Sequence, residues 1–126
     1  MARLTVVLDT SVLIDVLRRL PAARGYLQAL DPVPTCSEAT RIEVITGLRS
    51  AERGRAESLF AALEWVAVDE DIARRAGALG RRFRASHPGI DAADLAVAGT
   101  AERLGAEVAT ANVKHFPMFP GLRAPY

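Results

Sequence analysis

The sequence predicts an α/β fold with a mostly parallel sheet and helices on both of its faces. Three observations carry this. Apolar, β-branched runs of strand length recur at residues 4–8, 64–68 and 107–110. Between them, apolar residues return every three or four positions, the spacing of one helix face. The chain has 126 residues and no repeat, linker or low-complexity tract, so one domain over 1–126 is expected.

Residues 4–8, Leu-Thr-Val-Val-Leu, lack alternation, as in a strand buried on both faces. The run ends at Asp9-Thr10-Ser11, where Thr10 or Ser11 can cap a helix over 12–19. Val12, Leu13, Val16, Leu17 and Leu20 keep helical spacing there. Pro21 can open a second short helix, because its missing N–H has no helical partner at that position. Residues 32–36 hold two prolines and form a short extended piece at best. Ser37 caps a helix over 38–48, with Ile42, Ile45 and Leu48 on its buried side. A helix over 51–63 carries Leu59, Phe60 and Leu63 into the second clear strand, 64–68. Asp69 caps the next helix, to about Arg84, and Asp91 caps an alanine-rich helix that ends near Gly105. The third strand follows at 107–110, and the proline-rich tail, 116–126, can hold at most a short edge strand.

Composition excludes several classes. One cysteine, Cys36, allows neither an internal disulfide nor a cysteine-built metal site, and a reducing cytoplasm is the expected compartment. No apolar run reaches the length of a membrane span, and the few residues before Asp9 leave no room for the apolar core of a secretion signal. The net charge of +1 points to no partner. The 16 basic side chains include a single lysine, Lys114. Arginine's planar fork suits phosphate, although a GC-rich coding sequence gives the same bias.

Four places can carry chemistry. Asp9 follows a fully apolar strand, which sets its carboxylate at the mouth of the sheet, where ligands of open α/β folds bind. A plain helix cap would look the same. Glu43 sits mid-helix between Ile42 and Val44, at the edge of the apolar face, where a rim glutamate is also ordinary. Asp91 and Asp94 share a helix face at i,i+3, near the positive end of the dipole. Capping explains Asp91 well; it explains Asp94 less well, because Val97 and Ala98 turn that side toward the core. Thr110 to Phe116 offers hydroxyl, amide, ammonium and imidazole groups after the last strand. Three acids on three elements should converge in one crevice at the carboxyl ends of the strands. Converging carboxylates repel, and a hard cation such as Mg²⁺ or Mn²⁺ lets them stay ionised together. Competing chemistries lack parts: there is no G-x-x-x-x-G-K, no G-x-G-x-x-G and no G-x-S-x-G, and Asp9-Thr10-Ser11 lacks the second aspartate of a D-x-D motif.

Four blocks together resemble one family. They are Val7-Leu8-Asp9-Thr10-Ser11-Val12-Leu13-Ile14-Asp15, Arg41-Ile42-Glu43-Val44-Ile45-Thr46-Gly47-Leu48, Asp91-Ala92-Ala93-Asp94-Leu95-Ala96-Val97-Ala98 and Ala109-Thr110-Ala111-Asn112-Val113-Lys114-His115-Phe116. The order and spacing resemble the PIN-domain ribonucleases, and among them the VapC-type toxins of toxin–antitoxin modules. The resemblance implies a single-domain α/β/α sandwich with a mostly parallel central sheet. It implies Mg²⁺- or Mn²⁺-dependent cleavage of RNA, a cognate antitoxin protein and a homodimer. It carries metal-binding and catalytic roles to Asp9, Glu43 and Asp94, with Asp91 as a further candidate ligand. Thr10, Ser11 and Thr110 take supporting roles, and Lys114 is a candidate for holding RNA. The family's fourth acidic position falls on Asn112, a departure that leaves an amide where a carboxylate is usual. Two other readings stay open: a catalytically weak antitoxin partner in a DNA-binding repressor complex, and a stand-alone nuclease of the same fold.

Overall fold

The computed structural model describes residues 5–126. Four short strands form one sheet: β1 (Val6–Leu8), β2 (Thr35–Ser37), β3 (Glu64–Val66) and β4 (Glu107–Ala109). Their order across the sheet is β3-β2-β1-β4, and every pair is parallel. Val7 lies opposite Val108 on one side and Thr35 on the other. Six α-helices connect and cover the strands: α1 (Thr10–Leu17), α2 (Pro21–Ala29), α3 (Glu38–Gly47), α4 (Arg53–Ala61), α5 (Glu70–Phe83) and α6 (Ala92–Leu104).

Alternation along the strands gives the sheet two apolar faces. Leu8 and Ala109 pack with Val12, Leu13, Val44 and Phe60 on one face. Val7 and Val108 pack with Val97, Ala98, Ala101 and Phe116 on the other. Helix α6 is buried without interruption from Asp94 to Ala101, which its small side chains permit. Gly99 sets the α5–α6 spacing: a Cβ there would stand 3.0 Å from the Ile72 carbonyl oxygen and 3.1 Å from the Ala76 nitrogen.

Most caps fall where expected. The Ser37 side chain accepts from Ala39 N–H, Asp69 from Ile72 N–H and Asp91 from Asp94 N–H. Pro21 opens α2, and Gly105 ends α6 with φ 61°. Helix α1 ends in paired bonds, Leu20 N–H to Asp15 C=O and Arg19 N–H to Val16 C=O. This turn normally takes glycine at its left-handed residue. Here Arg19 holds it, with φ 62°.

Several expectations are corrected. Thr10 and Ser11 do not cap α1. The helix begins at Thr10, and Asp9 takes the N-cap position without a side-chain cap bond. The extended piece near 32–36 is a central strand, β2, because β1 and β3 supply its ladder on both sides. Strand 64–68 ends at Val66, and strand 107–110 ends at Ala109. The helix over 51–63 is a 3₁₀ turn, Ser50–Glu52, followed by α4. The buried side of α3 is Thr40 and Val44; Ile42 and Ile45 are 68% and 50% exposed. Helices α1 and α6 both pack on α3. Leu4 lies outside the described residues.

Candidate active site

A crevice of about 390 Å³ opens beyond the carboxyl ends of the central strands. It is lined by Asp9, Asp15, Glu43, Asp91 and Asp94, by Asn112, and by the Thr10 and Ser11 hydroxyl side chains, with His115 the one cationic candidate. Asp9, Glu43 and Asp94 come from β1–α1, α3 and α6, so the expected convergence of three elements in one crevice is present. Among the described residues, no three carboxylate, imidazole or thiol groups form a ready-made cage around one point.

Asp9 is 3% exposed. Its Oδ2 accepts 2.8 Å bonds from Ser11 Oγ and Thr110 Oγ1. Those hydroxyls are fixed in turn: Ser11 Oγ accepts from Ala111 N–H at 3.0 Å, and Thr110 Oγ1 from Asn112 N–H at 2.9 Å. The β1–β4 pairing brings these residues together, with Asp9 N–H donating to Ala109 C=O at 2.9 Å. Asp9 Oδ1 takes no hydrogen bond from the described residues. The plain-cap reading fails for Asp9, whose carboxylate is committed to two hydroxyls instead of helix N–H groups.

Glu43 Oε1 accepts from Thr10 Oγ1 at 2.6 Å. Burial raises its pKa, the Thr10 bond opposes the rise, and the negative charges of Asp91 and Asp9 add to it. Asp91 and Asp94 form a reciprocal capping box: Asp91 N–H donates to Asp94 Oδ2 at 3.0 Å, and Asp94 N–H to Asp91 Oδ1 at 2.8 Å. The capping reading therefore holds for both, yet Asp94 does more. Its Oδ2 also meets His115 Nδ1 at 3.0 Å, and its Oδ1 takes no bond from the described residues. Burial, opposed by the Asp91 N–H bond and reinforced by the charges of Asp91 and Asp9, pushes the Asp94 carboxyl up to about 6.

Asn112 lines the crevice through an exposed side chain. Lys114 is exposed and does not line it, while the next residue, His115, does. Sequence reasoning gave no role to one acidic lining residue, Asp15. Asp15 stands one helical turn beyond Ser11, an i,i+4 spacing that carried the signal. Its Oδ2 accepts from the Tyr126 hydroxyl at 2.7 Å. His115 belongs to the polar stretch after the last strand that the sequence singled out, but its bond to Asp94 had no local signal, because that partner lies 21 residues away.

The donors are nearly all hard oxygens, the set that Mg²⁺ or Mn²⁺ prefers over softer metals. Carboxylates that raise one another's pKa also gain from a bound cation. The residues thus fit a divalent metal. The family model for the PIN domain matches residues 6–117. The chain belongs to the PIN domain family. This PIN domain is 44% identical over 122 residues to Ribonuclease VapC19 of Mycobacterium tuberculosis, covering 94% of this chain and 98% of the relative. It is 40% identical over 123 residues to Ribonuclease VapC10 of the same species, covering 96% and 92%. Among solved structures, a toxin–antitoxin complex from Klebsiella pneumoniae superposes with a TM-score of 0.83 at 27% identity, over 97% of this chain and 98% of that one. No helix among the described residues is long and apolar enough to cross a membrane.

Proposed function

We propose that this PIN domain is the endoribonuclease toxin of a toxin–antitoxin pair, and that it hydrolyses RNA with Mg²⁺ or Mn²⁺ held by Asp9, Glu43 and Asp94. One observation carries the chemistry: five carboxylates line a single crevice at the strand ends, with two of them, Glu43 and Asp94, raised in pKa by burial and by their acidic neighbours. Such a group set is unfavourable alone and suited to a cation. The ribonuclease relatives and the toxin–antitoxin neighbour support the substrate and the protein partner.

When bound, the cation polarises the phosphodiester and lowers the pKa of a water. The chain's own groups prepare the site for it. Ser11 and Thr110 fix the Asp9 carboxylate through two bonds to one oxygen, leaving Oδ1 for a ligand. Thr10 holds Glu43, and His115 together with Asp91 N–H holds Asp94. Asp91 and the Asn112 amide supply further oxygens at the rim. The same reading has a single catalytic unit over 1–126, acting in the cytoplasm as a pair of identical chains. The exposed Ile42 and Ile45 give the pair apolar surface to bury. Asn112 favours a second reading, in which cleavage is weak and antitoxin binding in a DNA-bound repressor is the main role.

Purified protein incubated with mixed RNA decides between them. Cleavage in Mg²⁺ or Mn²⁺, its loss in chelator and its loss in Asp9→Asn support the nuclease. A folded wild-type protein that leaves RNA intact in both metals sinks it.

A further inference from the structure

The tail after the last strand passes around the edge of the sheet. Strand β4 ends the order β3-β2-β1-β4, so no strand lies beyond it. Met118, Phe119 and Leu122 pack against the apolar cluster of Val97 and Val108. Tyr126 packs against the other cluster, on the opposite face, with Ile14 and Tyr26. Between these two anchors the tail and β4 line a hollow of about 450 Å³. Gly121 turns the chain there with φ 80°, a conformation open to glycine. Pro117, Pro120 and Pro125 restrict the rest of the backbone. A stiff strap anchored on both faces sets its last side chain in a defined place.

That place is beside the acidic crevice. The Tyr126 hydroxyl donates to Asp15 Oδ2 at 2.7 Å, 111 residues away in sequence. The ring rests on Tyr26, with centroids 6.0 Å apart and planes at 53°. Burial raises the pKa of the phenol well above its usual value; the bond and charge of Asp15, then Tyr26 and Asp9, raise it further. The hydroxyl therefore stays a donor. Asp15 itself lines the crevice with Asp9, Glu43, Asp91 and Asp94. Among the described residues, its Oδ1 takes no hydrogen bond and no cation pairs with it. Asp9 shows the same pattern, with hydroxyls on one oxygen and the other left over. A neutral amide at position 15 would accept the phenol equally well. The carboxylate instead adds a like charge to a crevice already crowded with them, a cost that a shared cation offsets.

We propose that Tyr126 is a positioning residue of the crevice: its hydroxyl fixes the Asp15 carboxylate, whose second oxygen helps to hold the hydrated divalent cation. The proposal rests on the cation reading of the crevice. Asp15 adds charge and an acceptor at the rim, beyond Asp9, Glu43 and Asp94. A carboxylate already tied by a phenol loses little freedom when the ion enters, so the tie favours binding. The tail thereby belongs to the site, although the chain reaches it only after crossing the sheet edge.

The test titrates Mn²⁺ by calorimetry into the metal-free wild type, Tyr126→Phe, Asp15→Asn and the double variant, with thermal melts of each in chelator. Tyr126→Phe keeps the ring against Tyr26 and removes only the hydroxyl. It should weaken Mn²⁺ binding about 3- to 10-fold, below the roughly 10- to 100-fold typical of groups that touch a metal ligand directly. Asp15→Asn should weaken it at least as much. Adding Tyr126→Phe to Asp15→Asn should change Kd by less than about twofold, because the two side chains act as one unit. A bond that only anchors the tail would lower the Tm of Tyr126→Phe and leave the Mn²⁺ affinity of the folded protein unchanged; that result overturns the proposal. So does a loss of equal size in the Asp15→Asn background, which would route the effect of the hydroxyl through another group. If Tyr126→Phe fails to fold, Asp15→Asn decides: full Mn²⁺ affinity overturns the proposal and a loss upholds it. A folded wild type that takes up no Mn²⁺ overturns the cation reading and this assignment with it. One that binds Mn²⁺ equally well with and without the hydroxyl overturns this assignment alone.

Discussion

Asp94→Asn separates the two roles the structure gives that carboxylate. Its pKa stands at about 6 against a usual 3.8. At 1.36 kcal/mol per unit this is a penalty of about 3 kcal/mol for ionisation in the fold. The crevice is open to water, so about half of that, about 1–2 kcal/mol, is the working figure. The sign follows from linkage. A carboxyl whose folded pKa is raised favours the fold in its neutral form, so its contribution is full below pH 3.8 and lost as pH rises through 6. In chelator, the wild type should lose about 1–2 kcal/mol relative to Asp94→Asn between pH 4 and pH 7. For a domain of this size that is about 5 °C in Tm. The amide can still accept the Asp91 N–H bond, and losing the negative charge at the start of α6 takes back about 0.3–1 kcal/mol. The expected net result at pH 7.5 is a variant that melts about 3 °C higher than wild type. Thermal melts of both proteins across that pH range measure it. With a dissociation constant of about 1 mM, roughly 10 mM Mg²⁺ should add about 1.4 kcal/mol to the wild type, and less to the variant. If the variant melts lower in chelator at pH 7.5, or the two pH profiles stay parallel, capping outweighs repulsion and the reasoning is wrong. An equal Mg²⁺ response removes Asp94 from the metal site.

Three further outcomes are expected. Arg19→Gly should stabilise the protein by about 1 kcal/mol, because glycine takes a positive φ without the clash that a Cβ makes; an unchanged or lower Tm would contradict this. Thr110→Val removes a fully buried hydroxyl that bonds Asp9 and Asn112 N–H. It should cost about 1–3 kcal/mol by denaturant melt and weaken Mn²⁺ binding about 10- to 100-fold by calorimetry, whereas Thr110→Ser should recover most of both. Gly99→Ala should destabilise by about 1–3 kcal/mol, since its methyl meets α5 backbone that cannot move aside cheaply; a wild-type melt would mean that the helices separate freely.

The elements legible in the sequence are those fixed by neighbours along the chain. The β1 run and the caps at Ser37, Asp69 and Asp91 depend on residues within one turn of each other, and so does the end of α6 at Gly105. That Asp9, Glu43 and Asp94 line one crevice was legible for a related reason: a charge set directly beside an apolar run has few places to go in an α/β fold. Tertiary structure alone decided the rest. Strand β2 exists because β1 and β3 satisfy its backbone, against the local signal of Pro32 and Pro34 just before it. The spacing of Ile42, Ile45 and Leu48 satisfied the helical pattern, yet only Leu48 packs against the core, because α1 and α6 approach α3 from the Thr40–Val44 side. The hydroxyl clamp on Asp9 joins residues about a hundred positions apart, and the bond between Asp94 and His115 joins an α6 acid to a turn after β4. Local sequence sets dihedral preference and capping through contacts of three or four residues. Which face is buried, and which distant group reaches a carboxylate, depends on the order in which strands pair and helices pack.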